Sequence, residues 1–403
     1  MISKKLPAEF WNFLFARLFF VLGLRMITTI VIYQMFHLAN TYMVGMAGLS
    51  EFIPAVIAAL YAGHYIDRHN KRNILIISYG FYMVCGVSLA LISLPYFHLA
   101  AKVQVPMVLS VVFCTGIIRS FAGPAANSMI AAIVPREQLQ KAISLNSSTW
   151  LVSSITGHAT GGLLIAFGGI SSAYFVTAGL IFTAGLFAWQ LKPKPPVNVE
   201  SKEPMVQAIR HGFRYVFNNK NLLGVISLDL FAVLFGGAVA FIPEIADKVL
   251  HTGPIGYGFL NAAMDIGSLM SIAIMLWLPM HQKQGLKMMM SVAAFGLCII
   301  IFGLSKVYWL SFMALAVAGF FDGVSVIVRG TIAQLNTPDE LRGRVASINL
   351  IFINSSNELG QFESGLTSRW FGSIPAIIVG GGMSVLVVVA TWFKFPNLKK
   401  LEY

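Results

Sequence analysis

The sequence predicts an all-α membrane protein of twelve transmembrane helices, arranged as two pseudo-symmetric bundles of six. Three observations carry this. Of 403 residues, 57% are hydrophobic and 11% charged, with a mean hydropathy of +0.76, whereas a soluble domain holds about 25% charge. The apolar residues fall in runs long enough to cross a bilayer, which takes about 20 residues at 1.5 Å rise. Features of the first half return in the second at a constant separation: Pro135, Ser144 and Asn146 recur 203 residues later as Pro338, Ser347 and Asn349, and Gly157 and Gly162 as Gly360 and Gly365. Such a period indicates a duplicated unit.

Taken in order, span 1 covers residues 9–35 and follows Lys4 and Lys5. No small-residue cleavage site follows it, so it is read as a retained span and not a signal. Spans 2 (42–66) and 3 (72–95) flank a short charged turn, Gly63 to Arg72. Spans 4 (105–134), 5 (139–167) and 6 (171–191) complete the first bundle, residues 1–191. A polar break at 192–220 divides the chain near its midpoint. Its Lys192-Pro193-Lys194-Pro195-Pro196 stretch is expected to be extended. Pro204 to Lys220 can form a surface helix, with Val206, Ile209, Phe213 and Val216 on one face and Arg210 and Arg214 on another. That suits either a segment lying on an anionic leaflet or an ordinary basic linker. Spans 7 to 12, at 221–247, 255–280, 286–304, 307–335, 344–369 and 374–395, form the second bundle, residues 221–403. Helix is the expected form throughout, because backbone groups find no water in lipid and the runs lack the alternation of a barrel.

The charge distribution orients these spans. Most of the 28 Lys and Arg residues fall on the side of the N-terminus, with only Lys102, Lys248, Lys306 and Arg369 on the opposite face. By the positive-inside rule both termini are cytoplasmic, and an even number of spans follows independently. The net charge of +12 is therefore accounted for by cytoplasmic loops and does not point to nucleic acid. Cys85, Cys114 and Cys298 all lie in apolar runs without metal or redox spacing. No metal, cofactor or enzymatic nucleophile is indicated.

Ionisable groups inside a membrane are costly, so each is a functional candidate. Arg119 lies near mid-depth in span 4, and the 203-residue offset carries it onto Asp322 at similar depth in span 10. Arg17, Arg25 and Arg119 occupy the first half. Asp229, Asp265, Asp322, Glu358 and Glu363 occupy the second, with Arg329 as its embedded base. Opposed walls of this kind fit a cavity whose carboxylates bind and release protons. Asp322 and Glu358 are the preferred proton sites, with Asp229 and Arg119 as further coupling candidates. Arg25, Asp265, Arg329, Glu363 and the polar side chains Asn349, Asn354 and Asn357 are candidates to line the cavity. Two plainer readings compete. Asp322 and Arg329, seven residues apart, share a helix face and could form a fixed pair, and the asparagines could simply bond helix to helix.

In span 5, Gly157-His158-Ala159-Thr160-Gly161-Gly162 places small residues where two helices can approach closely. In the turn between spans 2 and 3, Gly63, Asp67, Arg68, Asn70, Lys71 and Arg72 form a spaced pattern. This turn resembles the loop between helices 2 and 3 of the major facilitator superfamily, with Asn70 where the family usually has Gly. Asn tolerates a left-handed backbone best among the other residues, so a left-handed turn is expected there.

The span 5 pattern is similar to the antiporter motif of that superfamily, with His158 in the Pro position. Arg119 followed by Gly123 resembles its helix 4 motif, whose Arg is linked to proton coupling. With Ala16-Arg17-Leu18, Val134-Pro135-Arg136-Glu137 and Leu341-Arg342-Gly343-Arg344-Val345, the likeness covers essentially the whole chain. It points to the efflux branch that includes the enterobactin exporter and macrolide efflux pumps. The resemblance implies a monomeric rocker-switch exporter in the bacterial inner membrane, driven by inward proton flow. Its cargo would be an amphipathic small molecule, a siderophore ahead of a drug. Asp67 and Arg68 would hold the cytoplasmic side, supported by Lys71 and Arg72. The loop near His281-Gln282-Lys283-Gln284 has no acid, so any interlock is expected on one side only. An importer of the same architecture is the alternative; an intramembrane enzyme or a channel fits less well.

Overall fold

In the computed structural model, residues 5–194, 205–278, 283–338 and 341–400 are described. The end of the Pro-rich linker and His281 and Gln282 lie outside them. Thirteen α-helices follow in chain order: α1 (Ala8–Leu38), α2 (Thr41–Arg68), α3 (Lys71–Ile92), α4 (Ala101–Ile133), α5 (Leu139–Trp189), α6 (Met205–Asn218), α7 (Lys220–Gly236), the short α8 (Ile242–Glu244), α9 (Gly253–Trp277), α10 (Gln284–Leu304), α11 (Tyr308–Leu335), α12 (Arg342–Phe371) and α13 (Ser373–Lys394). Ten helical stretches among the described residues are long and apolar enough to cross a membrane. One of them, Arg136–Trp189, is long enough for two spans and α5 within it is broken at Gly169, whose φ of 77° only glycine adopts readily. The 30-residue α12 is long enough but more polar. The architecture is thus consistent with twelve spans.

The chain divides into two compact units. One holds Met1–Ala39 and Ser50–Glu200; the other holds Asn40–Leu49 and Ser201–Tyr403. The boundary departs from a simple cut in the linker at one place. The first turns of α2 group with the second half, although the rest of that helix belongs to the first.

In the first unit α1 packs along α5, and α3 along α4 and α5. Small residues make this possible. A methyl at Gly157 would stand 2.8 Å from the Arg25 Cβ and 2.9 Å from the Leu22 carbonyl, and one at Gly161 would stand 3.3 Å from the Thr29 Cβ. Toward the far end of α1, Gln34 donates to Ser93 at 2.9 Å and accepts from the Tyr174 hydroxyl at 2.8 Å. This network satisfies polar groups that lipid would leave stranded.

In the second unit, Lys220–Val249 is long and apolar enough to cross a membrane, as expected of residues 221–247, but it is not one regular helix. Helix α7 ends at Gly236, and short turns through Val239–Phe241, α8 and a π-turn at Ile245–Val249 follow. The carbonyls near the break are bonded by side chains from other helices: Ser384 donates to Ala232 at 2.8 Å, and Ser364 to Gly237 at 2.9 Å. Leu228, Met288, Val292 and Val328 form the core where α7, α10 and α11 meet, closed by Leu398 of the C-terminal turn. The surface helix α6 is docked and not free. Val216 is buried with Ile226, Val345 and Ile348, and the Phe213 and Phe352 rings lie 6.2 Å apart. The Tyr215 hydroxyl donates to the Asn336 carbonyl at 2.6 Å. Arg210 and Arg214 are exposed while Val216 and Phe213 pack inside the unit; the side chains of Val206 and Ile209 lie outside the described residues.

Helices α9 and α11 cross at their backbones. Methyls at Gly267 and Gly319 would run into the carbonyls of Ala316 and Met264, and the Ser268 hydroxyl donates to the Gly319 carbonyl at 3.0 Å. Gly319→Val should therefore destabilise the unit by about 1–3 kcal/mol, the usual cost of overpacking. Thermal unfolding of purified protein in detergent checks it; an unchanged midpoint would mean that the crossing opens freely.

Candidate functional site

At the α2–α3 turn the structure corrects the expected backbone. Asn70 has φ −66° and ψ 113°, and its side chain caps α3 by accepting from the Arg72 amide at 3.1 Å. Capping is what Asn does best at a helix start, and it needs no left-handed residue. The basic half of the motif works within the first unit. Arg72 donates through Nη2 to the Trp189 carbonyl at 2.6 Å, and its guanidinium lies 5.7 Å from the Trp189 ring centroid. A cation at the last turn of α5 complements that helix dipole. Asn70 also accepts from the Lys194 amide at 3.3 Å, while Glu9, in the first turn of α1, takes the Lys192 amide at 2.9 Å and the Lys194 ammonium at 3.0 Å. The chain leaving α5 is thus fastened to the starts of α1 and α3. Lys71 is buried and Gly63 faces open space. Asp67 and Arg68 are exposed.

Deeper in the first unit, the Thr29 hydroxyl and His158 Nδ1 are hydrogen-bonded at 2.7 Å, and Arg25 lies over the Trp150 ring at 4.6 Å. Gly157, His158, Gly161 and Gly162 are all buried. This part of α5 is therefore a helix-packing surface with a satisfied histidine. Arg119 forms an ion pair with Glu51 of α2 at 2.9 Å. Glu51 is not among the candidates drawn from the sequence, although it interrupts the apolar run of span 2. Its presence overturns the expectation that the embedded charges of the first half are all basic, and it gives Arg119 an acidic partner in its own unit.

In the second unit, Arg329 pairs with Asp229 of α7 and not with Asp322 of its own helix. Both side chains are almost wholly buried, and Ser325 donates to the other Asp229 oxygen at 3.2 Å. The α9–α11 crossing brings a different pair together. Asp265 follows Met264, whose carbonyl faces Gly319, and Asp322 lies one turn beyond Gly319. The two carboxylates are within electrostatic reach, and no cation pairs with Asp322 among the described residues. On α12, Asn349 is half-buried with its Oδ1 shielded and unbonded, Asn357 is exposed, and Glu358 and Glu363 are half-buried. The Asn354 side chain lies outside the described residues.

A second unforeseen carboxylate is Glu244 of α8. It accepts from the hydroxyls of Thr41 and Ser373, the latter at 2.5 Å, and from Lys248 at 3.2 Å. Nearby, Arg369 lies over the Tyr42 ring at 5.1 Å, and Gly45 meets Gly365 backbone to backbone. These contacts explain why the first turns of α2 belong to the second unit. The signal in the sequence is Glu244 itself, an acid at the end of an apolar run.

The sequence model of the Major Facilitator Superfamily matches residues 13–360. The chain belongs to this superfamily. It is therefore an integral membrane transporter, in a family and fold that are not those of enzymes. This transporter is 25% identical over 309 residues to the enterobactin exporter EntS of Shigella boydii serotype 18, covering 76% of this chain and 72% of that one. It is 24% identical over the same length to EntS of Escherichia coli O1:K1, with the same coverage. Among solved structures, a D-xylose–proton symporter superposes with a TM-score of 0.76 at 14% identity, over 98% of this chain and 99% of that one. The nucleoside transporter NupG gives 0.71 at 16% identity, over 96% of this chain and 99% of that one. At these identities the solved structures show the fold alone.

Proposed function

We propose that this transporter is a proton-coupled exporter of an amphipathic small molecule, working by rocker-switch alternating access, with a siderophore favoured over a drug. The observation that carries the coupling is the Asp265–Asp322 pair. Asp229, the other carboxylate deep in the second unit, is held by Arg329, whereas Asp322 faces a second acid and no cation among the described residues. A proton taken up by Asp322 from one side of the membrane changes the charge that the site presents. Glu358 and Glu363 on α12 remain further acids for that route, and Arg25 and the α12 asparagines supply polar contacts for cargo. Asp67 and Arg68, exposed at the end of α2, take the gating role that the superfamily resemblance assigns to them. The excess of basic residues in the N-terminal-side loops supports cytoplasmic termini in a bacterial inner membrane.

Export and the siderophore class draw support from the relatives named as enterobactin exporters. Comparing small molecules inside and outside cells with and without the protein, in iron-poor and iron-replete medium, tests both. An iron chelator should build up inside cells lacking it, and only when iron is scarce. Build-up outside those cells would instead indicate import.

A further inference from the structure

Of the arginines within the spans, Arg119 is neutralised by Glu51, Arg329 by Asp229, and Arg25 rests on Trp150. Arg17 differs. It sits on α1 between Ala16 and Phe20, both buried, so its side of the helix faces into the first unit. Its Nε is shielded from solvent and makes no hydrogen bond, and no carboxylate pairs with it among the described residues. Tyr79 of α3, a phenol uncharged at neutral pH, lies within electrostatic range of it. That ring is fully buried and stacks on Phe20 at 4.2 Å, with Tyr82 edge-on to Phe20 at 5.2 Å. A guanidinium keeps its charge in a protein and offers five N–H donors in a planar fork. Within a membrane span and with no counter-charge among the described residues, it is a costly arrangement that an arriving anion relieves.

We propose that Arg17 is a cargo-binding residue whose guanidinium receives the carboxylate or another oxyanion of the transported molecule. This deepens the exporter reading by naming the chemical group that the cargo must carry, and it rests on that reading only for the direction of movement. The planar fork favours a bidentate, planar oxyanion over a neutral amide of the same shape. The neighbouring rings favour an organic anion over an inorganic one.

The test uses the full-length protein in detergent, with benzoate as the probe and benzamide as its neutral counterpart. Phenylglyoxal labelling is followed residue by residue by mass spectrometry, with exposed Arg214 as the internal reference. Benzoate should slow labelling of Arg17 several-fold and leave Arg214 unchanged, while benzamide does neither. In fluorescence titrations the wild type should prefer benzoate over benzamide. Arg17→Gln should lose that preference and Arg17→Lys, which keeps the charge without the fork, should retain part of it.

Labelling of Arg17 at the same rate with either probe would mark a side chain that only reaches back to the membrane surface, and would overturn the proposal. A benzoate preference that survives in Arg17→Gln would do the same. If that variant does not fold, the labelling of the wild type decides alone. Protection of Arg17 in a protein that moves no chelator out of cells would leave the anion site standing and remove the exporter reading.

Discussion

Asp322→Asn is expected to abolish proton-driven transport while leaving the protein folded and inserted. The amide keeps the size and hydrogen-bonding capacity of the carboxyl group but cannot exchange a proton, so it isolates the one property in question. Everted membrane vesicles provide the measurement, with a pH-sensitive dye reporting proton movement when cargo is added. The wild type should show cargo-dependent proton flux, and the variant should fall to the passive leak. Exchange of labelled for unlabelled cargo needs binding and the alternation of access but no net proton transfer, so it should persist in the variant. Asp265→Asn should retain coupling, because Asp322 is still present to carry the proton. Full coupling in Asp322→Asn would remove Asp322 from the mechanism and shift attention to Asp265, Glu358 and Glu363.

How much of this is legible in the sequence depends on whether the signal is local. Span positions are, because burial in lipid is written into runs of apolar residues, and the small-residue face of Gly157 and Gly161 packs against α1 as their spacing implies. The Gly236-Gly237 doublet is an available breaker signal, yet the continuous apolar run around it reads as one helix. Asn70 misleads because one residue type serves two purposes: left-handed turn and helix cap compete, and the position immediately before α3 favours the cap. Partner choice is the least legible feature. Seven-residue spacing makes Asp322 a plausible mate for Arg329, but the choice depends on which helix lies opposite, and α7 presents Asp229 there. Glu51 can be found by asking which acid answers Arg119. The asymmetry between halves draws that question toward the wrong half.

The Asp229–Arg329 pair sets up the second large effect, and it should be one of stability. Both groups are almost wholly buried between α7 and α11, where each is tolerable only because the other is present. Removing one partner strands a charge, which typically costs about 3–5 kcal/mol. Arg329→Met and Asp229→Asn should therefore each lower the thermal unfolding midpoint sharply and reduce the yield of monodisperse protein. The double variant Asp229→Asn with Arg329→Met leaves neither charge and should recover most of the loss. Such non-additivity is what a double-mutant cycle detects between contacting residues. Losses that simply add would show that the two side chains do not depend on each other. The double variant also separates structure from transport: if the pair only holds α7 to α11, coupled transport should return with stability. Recovered stability without recovered coupling would place this carboxylate in the proton route beside Asp322.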